Sequence, residues 1–522
     1  MPESKLPELA ELAKRGLIFL LSLLALGFVG LFYAIALKRV TFPYMLEWSE
    51  GGVLDMMRRI VHHQQLYVAP SKDFVPFMYT PIYYYLGAVL SHFTGVGLVP
   101  LRVLSIVATT GCFVVIFHLV RRDTGDRFSA WMACGVFAAL YAQTNAWFDL
   151  ARVDMLYLFF LLLAIGLAER GLPVWAAIVF AVAFQTKQTA LAVAVLVLAH
   201  EIGRPRKLIA GLGTFGLAVG LSSWLIDRQN HGWYRYYTAF LPSRQAWLRE
   251  KFALFWLRDL IDPLGVLLLV TALGTALYFS KSSRGTEDRR RMYFFLFTTV
   301  GLTVSSLSSR LHLGGSNNVT LPLYAWLCVL FGLSLHKILS SAKQAPANLS
   351  VPLQLAALVA CLLQFSHLIY SPGSFVPTAA QRADATDALN RVSALPGKIF
   401  VMHHVIDAGS AGKEGFAGSM AIWDVLRADH GEAGQRLKAE LIASFQNKEY
   451  DGILCDRSPS TMFPEEQDYL GEVTAAAGAA YPMQSRILSV PEEAAFYANP
   501  STPQIKPQFL YVPRAGVLQP KE

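Results

Sequence analysis

The chain has 522 residues, 54% of them hydrophobic and only 16% charged, with a mean hydropathy of +0.40. Soluble domains carry about 25% charged residues, so a soluble enzyme or a nucleic-acid-binding domain is excluded and a polytopic membrane protein is expected. The net charge of +8, from 45 basic and 37 acidic residues, then reads as a side preference of membrane loops rather than as affinity for nucleic acid.

The first apolar run, Leu17 to Leu37, is free of charges and long enough to cross a bilayer. It lacks a small-residue cleavage site and reads as an anchor, not a removable signal. Eleven spans are predicted in all, at 17–37, 101–120, 128–148, 155–169, 172–186, 189–201, 208–226, 260–280, 291–308, 320–338 and 351–370. The basic groups Lys14-Arg15, Arg121-Arg122 with Arg127, Arg204 with Arg206-Lys207, and Lys281 to Arg291 all fall on one side of such an array. The positive-inside rule makes that side, and the N-terminus, cytoplasmic. The same count keeps the tyrosine-rich stretch 80–95 at the interface and not across the membrane.

The fold expected is therefore an all-α membrane bundle, residues 1–370, with a large first outer loop at 38–100. A polar tail, 371–522, follows outside the membrane. Within it Lys398 to Met402 and Asp451 to Cys455 read as buried strands and 433–447 as a helix, so a small α/β domain is predicted. Of five cysteines, Cys112, Cys134, Cys328 and Cys361 lie in apolar runs and Cys455 in the tail. No pair has metal-ligand spacing.

Candidate chemistry gathers in the outer segments. Glu47 and Glu50 sit three apart just past the first span, where a carboxylate could act as a general base toward an acceptor hydroxyl, or merely complement a helix start. Arg58, Arg59, His62 and His63 follow. Arg58 shares a helical face with Glu50 and could meet a phosphate, or snorkel to headgroups. Asp149, Arg152 and Asp154 lie at a turn between spans, where charges are costly and suggest a site or a structural pair. Lys187, between two short apolar helices, is placed to bind an anionic phosphate. Arg310, His312, Asn317 and Asn318 flank a Gly-Gly pair that lets backbone approach a ligand. The loop 227–259 interleaves Trp233, Tyr234, Tyr236, Tyr237 and Trp247 with arginines, which suits sugar stacking or a membrane interface.

In this order the pieces resemble the membrane glycosyltransferases of the C fold, in particular the bacterial dolichyl-phosphate-mannose–protein mannosyltransferase-like group and the aminoarabinose transferases. The matching features are Glu50 with Glu47 upstream, the aromatic exit Phe77-Met78-Tyr79-Thr80-Pro81-Ile82-Tyr83-Tyr84-Tyr85, Asp154, Gln185-Thr186-Lys187, and Gly314-Gly315-Ser316-Asn317-Asn318. The resemblance implies a polyprenyl-phosphate sugar donor, transfer with inversion to a glycan, lipid or protein acceptor on the outer face, and residence in a bacterial inner membrane. Carried onto this chain, it makes Glu50 the acid at the reacting centre and the preferred base, with Glu47 as the other catalytic candidate. It makes Lys187, with Arg58 more loosely, a contact to the donor phosphate; Asp154, Asp149, Arg310, His312 and Tyr79 complete the candidate substrate contacts. The family commonly has an Asp-Glu pair where this chain has Ser49-Glu50. That leaves the choice between the two glutamates open, as it does a divalent metal. A surface-polysaccharide polymerase or ligase, or a lipid flippase or transporter, remains the alternative.

Overall fold

The structure is a computed structural model that describes residues 6–47, 49–280, 285–402, 408–455, 464–486 and 509–513. A helix occupies each of the eleven expected apolar stretches. Among the described residues, seven helices are long and apolar enough to cross a membrane. The other four, Arg127–Ala139, Asp154–Glu169, Pro173–Phe184 and Ala190–Ala199, have 10 to 16 residues. At 1.5 Å per residue the shortest spans only about 15 Å, half a hydrocarbon core. These helices are short because the sequence interrupts them. Gly171 takes a left-handed backbone (φ +72°) ahead of Pro173, which opens the next helix at its first position. At the other end, Gln185 to Thr189 breaks the chain again. The tyrosine-rich stretch forms the 13-residue helix Ile82–Thr94, too short for a crossing.

The helix Asn317–Lys343 is the axis of the bundle: 78% of its most apolar window is buried, against 11% for Pro205–Gln229 at the periphery. Glycine lets neighbours close up. A side chain on Gly135 would meet the backbone of Ala25 at 2.6 Å, and one on Gly274 would meet that of Ser334 at 2.5 Å. The basic loops gather at one end, where Arg204 pairs with Glu287 at 2.7 Å, Arg122 with Glu169 at 3.4 Å, Arg290 with Glu201 at 3.5 Å, and Arg291 with Asp123.

At the opposite end lie the first loop, with the helix Glu50–Val61, and the polar tail. The tail begins with Ala379–Ala394, capped by Thr378 and Gln381 in a reciprocal capping box. Its four-stranded sheet contains β1 (Ile399–Val401), β2 (Gly452–Cys455), β3 (Met483–Arg486) and β4 (Phe509–Val512), in the order β1-β2-β4-β3. The β1–β2 pair is parallel and both β4 pairings are antiparallel. Two helices, Ser419–Ala428 and Glu432–Gln446, make the crossover between β1 and β2, as a parallel connection requires. The tail docks on the membrane loops: the Ala417 amide donates to the Lys72 carbonyl at 2.9 Å, the Tyr236 hydroxyl to Asp429 at 2.7 Å, and Lys72 pairs with Glu449.

Candidate active site

The segment 149–154 organises the site. It leaves the three-residue helical turn Trp147–Asp149 and enters the helix that starts at Asp154, and each of its three charged side chains takes a different partner. Asp149 faces Arg39, 3.2 Å away, and accepts from the Tyr141 hydroxyl at 2.9 Å. Arg152 reaches Glu47 at 3.4 Å and donates to the Tyr79 hydroxyl at 3.1 Å. Asp154 accepts from Lys187 at 2.6 Å, from Asn318 at 3.0 Å and from the Trp147 indole at 2.8 Å. All are buried. A lone charge in such a place would be prohibitive, and pairing is the way to keep it.

The two first-loop glutamates have different surroundings. Glu50 is wholly buried and its acceptor capacity is spent. One carboxylate oxygen takes the Arg102 Nε (3.1 Å) and the Ala151 amide (2.7 Å), and the other takes the Arg102 Nη2 (2.7 Å) and the Leu46 amide (2.6 Å). Arg102 also donates to the carbonyls of Phe42 and Tyr44 at 2.6 and 2.5 Å. Together they staple the first loop to the helix Leu98–Thr124. Burial works against the Glu50 charge, but Arg102 and the amides outweigh it and hold the carboxyl below its usual range. Glu47 is held more loosely, by the Ser49 amide and hydroxyl, each at 3.1 Å, and by Arg152. Burial pushes its carboxyl above the usual range, with Arg152 opposing and Glu50 adding to the rise. Two neighbouring carboxylates with affinities driven apart is the pattern by which one fold separates a structural acid from a working one.

Lys187 is 7% exposed and stands over the rings of Tyr79 and Tyr157, 5.8 and 5.9 Å from their centres. A small hollow opens beside it, lined by Asp154, Tyr157, Thr189, Ser305, Ser309 and Asn318, with Val319, Leu321 and Pro322 forming its apolar side. One ammonium proton is engaged by Asp154, so the group remains able to donate toward the hollow. Ammonium, hydroxyls and an amide thus line one small hollow, from which they could donate to an anionic oxygen.

Glu47, Tyr79, Asp154 and Lys187 are therefore brought together, and Glu50 and Asp149 lie in the ion pairs alongside. Arg58, Arg310 and His312 are engaged elsewhere. Arg58 pairs with Asp55 at 3.1 Å and approaches Ser410 of the tail at 3.5 Å. Arg310 grips Asp259 at 2.6 Å and the Gly315 carbonyl at 2.7 Å, while the His312 ring packs on Trp247, centroids 4.6 Å apart. The Gly-Gly pair turns the chain tightly: a side chain on Gly315 would strike the Ser309 carbonyl at 2.3 Å. Asn318 is buried against Asp154. Arg102 escaped the reading of the sequence, although an arginine inside an apolar span was a visible signal. Thr189 and Ser309 stood beside Lys187 and Arg310 in the segments that the sequence singled out, whereas Ser305 carried no signal, being one polar residue inside the helix Thr286–Leu311. Among the described residues no group of three or more metal-ligating side chains gathers.

Comparison with known proteins follows the geometry. Residues 77–309 match the model of glycosyltransferase family 87. The solved structure of ArnT from Cupriavidus metallidurans bound to undecaprenyl phosphate superposes with a TM-score of 0.58, covering 95% of this chain and 99% of that one at 12% identity. Its apo form gives 0.56 with the same identity, covering 95% and 100%. The fold is the C fold of the membrane glycosyltransferases. The family match and the fold agree on one enzyme class, glycosyltransferase. No curated protein matches the chain.

Proposed function

We propose that this protein is an inverting membrane glycosyltransferase. It moves a sugar from a polyprenyl-phosphate donor to an acceptor hydroxyl on the outer face of a bacterial inner membrane. The N-terminus is cytoplasmic, residues 1–370 form the membrane part, and 371–522 form an extracytoplasmic domain. The observation that carries this reading is the buried pairing of Glu47 with Arg152 and of Lys187 with Asp154 on one segment, beside a polar hollow. The match over 77–309 and the undecaprenyl phosphate in the ArnT neighbour support it.

The donor's prenyl tail stays in the bilayer and its phosphate lies in the hollow at Lys187. Glu47 takes the proton of the acceptor hydroxyl. The hydroxyl oxygen forms its bond to the sugar's anomeric carbon from the face opposite the phosphate, and the bond from that carbon to the phosphate oxygen breaks. The electron pair leaves with polyprenyl phosphate, whose growing charge Lys187 offsets. A single displacement inverts the anomeric centre. Asp154, itself held by Asn318, positions Lys187, while Arg152, held by Tyr79, fixes Glu47. Glu50, saturated by Arg102 and two amides, secures the loop on which Glu47 sits. Between the two glutamates, the geometry favours Glu47 as the base.

The test is transfer from a radiolabelled polyprenyl-phosphate sugar in membranes carrying the full chain. Glu47→Gln is expected to lower transfer at least 100-fold in the protein that folds, beyond what loss of the Arg152 pairing costs in stability. Activity retained in Glu47→Gln and lost in a well-folded Glu50→Gln would hand the base role to Glu50.

A further inference from the structure

The crossover helix Ser419–Ala428 of the tail lies over the Glu47 side of the site. The Ser49 hydroxyl is 2.9 Å from the Met420 sulfur, and Gln245 donates to the Asp424 carbonyl at 3.4 Å. Asp424 is close enough to Arg152 for that guanidinium to favour its charge. The helix thus brings side chains of the tail next to the carboxylate that would receive the acceptor's proton.

Arg427 on this helix is 7% exposed, yet poorly satisfied. Its Nη2 pairs with Asp424 one turn back, and its guanidinium lies 4.1 Å from the centre of the Trp423 ring. Its Nε and Nη1 are buried with no hydrogen-bond partner among the described residues, and so is the Trp423 indole Nε1. Across from it runs the Gly314 turn, where a side chain would come within 3.4 Å of both terminal nitrogens. With φ +84° the turn favours glycine, which keeps a side chain from crowding the guanidinium. Buried donors without partners are costly, about 1–3 kcal/mol each and more when charged, and natural sites keep them for a ligand. Three such donors on one stacked Arg–Trp pair suit a group with several anionic oxygens, and a planar guanidinium matches phosphate geometry.

We infer that Arg427, braced on Trp423, is a second anion seat, contributed by the tail, that takes a phosphate group of the acceptor. It is distinct from the Lys187 hollow, whose lining includes neither Arg427 nor Trp423. Asp424 holds Arg427 while the seat is empty and yields to the incoming phosphate. The assignment to the acceptor rests on the glycosyltransferase reading, whereas the seat itself does not.

The experiment uses full-length protein in phosphatidylcholine nanodiscs and inorganic phosphate as the probe, by calorimetry. Lys187→Ala, included throughout, removes the hollow's contribution. In that background Arg427→Gln is expected to weaken the remaining phosphate binding at least 10-fold. Asp424→Asn, which removes the competing carboxylate, is expected to tighten it several-fold. A structural Arg427–Asp424 pair would not produce opposite effects on phosphate, so the contrast holds even if one variant loses some stability. Phosphate binding unchanged in both variants overturns the seat. Repeating the Asp424→Asn titration in discs containing phosphatidylglycerol identifies the source. Suppression points to a lipid headgroup and persistence to a soluble phosphorylated acceptor, and either result upholds the seat. Since no sugar transfer is measured, failure here is separable from failure of the proposed reaction.

Discussion

At the scale of single residues the site is a set of buried opposite charges, each held by a partner from another part of the chain. Glu50 and Arg102 show what such a pair contributes. Breaking a buried pair by removing one partner costs about 3–5 kcal/mol because the survivor is left charged and dry. Arg102→Met is therefore expected to lower the melting temperature of the detergent-solubilised protein sharply, with transfer lost alongside folding. Glu47 answers a different test. Its carboxyl is raised by burial, so with Glu47 as the proposed base, transfer is expected to fall off at a higher pH than an ordinary glutamate would impose. The Ser49 hydroxyl and amide oppose that rise. Ser49→Ala is thus expected to move the acidic limb of the pH–rate profile further toward alkaline pH, while the rate on the plateau changes less. A limb that stays in place would remove Glu47 from the proton transfer.

Close helix crossings decide the next scale. Gly135 against Ala25 and Gly274 against Ser334 bring backbones together with no room for a side chain. In lipid, where apolar burial gives no special drive, such approach is a main source of helix affinity. Gly135→Leu and Gly274→Leu are expected to destabilise the bundle by about 1–3 kcal/mol or more, seen as lower thermal stability in detergent, whereas Gly213→Leu, with nothing within 4 Å of its would-be side chain, is expected to be neutral. Element reading from the sequence worked where periodicity and punctuation agreed. The strand at 399–401, the helix at 432–446 and the strand at 452–455 fall within a residue or two of expectation. The reading of 128–148 as one span did not hold. Its helix stops at Ala139, and Asn145 and Ala146 take left-handed backbone angles because the chain must turn there to deliver Asp149, Arg152 and Asp154. Apolar composition alone could not show that turn. The count of eleven crossings meets the same limit, since a stretch can be apolar enough for a membrane and still too short to cross it.

For the whole molecule the question is which end faces which compartment. The basic loops form one paired cluster, and the tail docks at the other end over Glu47. All five cysteines are buried, so an introduced surface thiol can be read against a quiet background. With the proposed orientation, His430→Cys is expected to react with an impermeant maleimide on intact cells, and Arg206→Cys only after the membrane is opened. The reverse pattern would invert the topology and place the reaction inside.

What the sequence by itself determined is local: hydropathy marked the apolar helices, basic residues marked one face, and charges stranded at membrane depth marked the neighbourhood of a site. Which charge answers which was decided only by tertiary structure. Glu50 and Glu47 look equivalent along the chain, yet Arg102, 52 residues away from one, and Arg152, 105 residues away from the other, give them opposite characters. Arg58, Arg310 and Lys187 read alike as cations near a membrane surface, and only folding gave the first two partners away from the hollow and set the third beside it. The reason is physical: the energy of a buried charge depends on what surrounds it within a few ångströms, and sequence spacing reports those surroundings only within one helix turn.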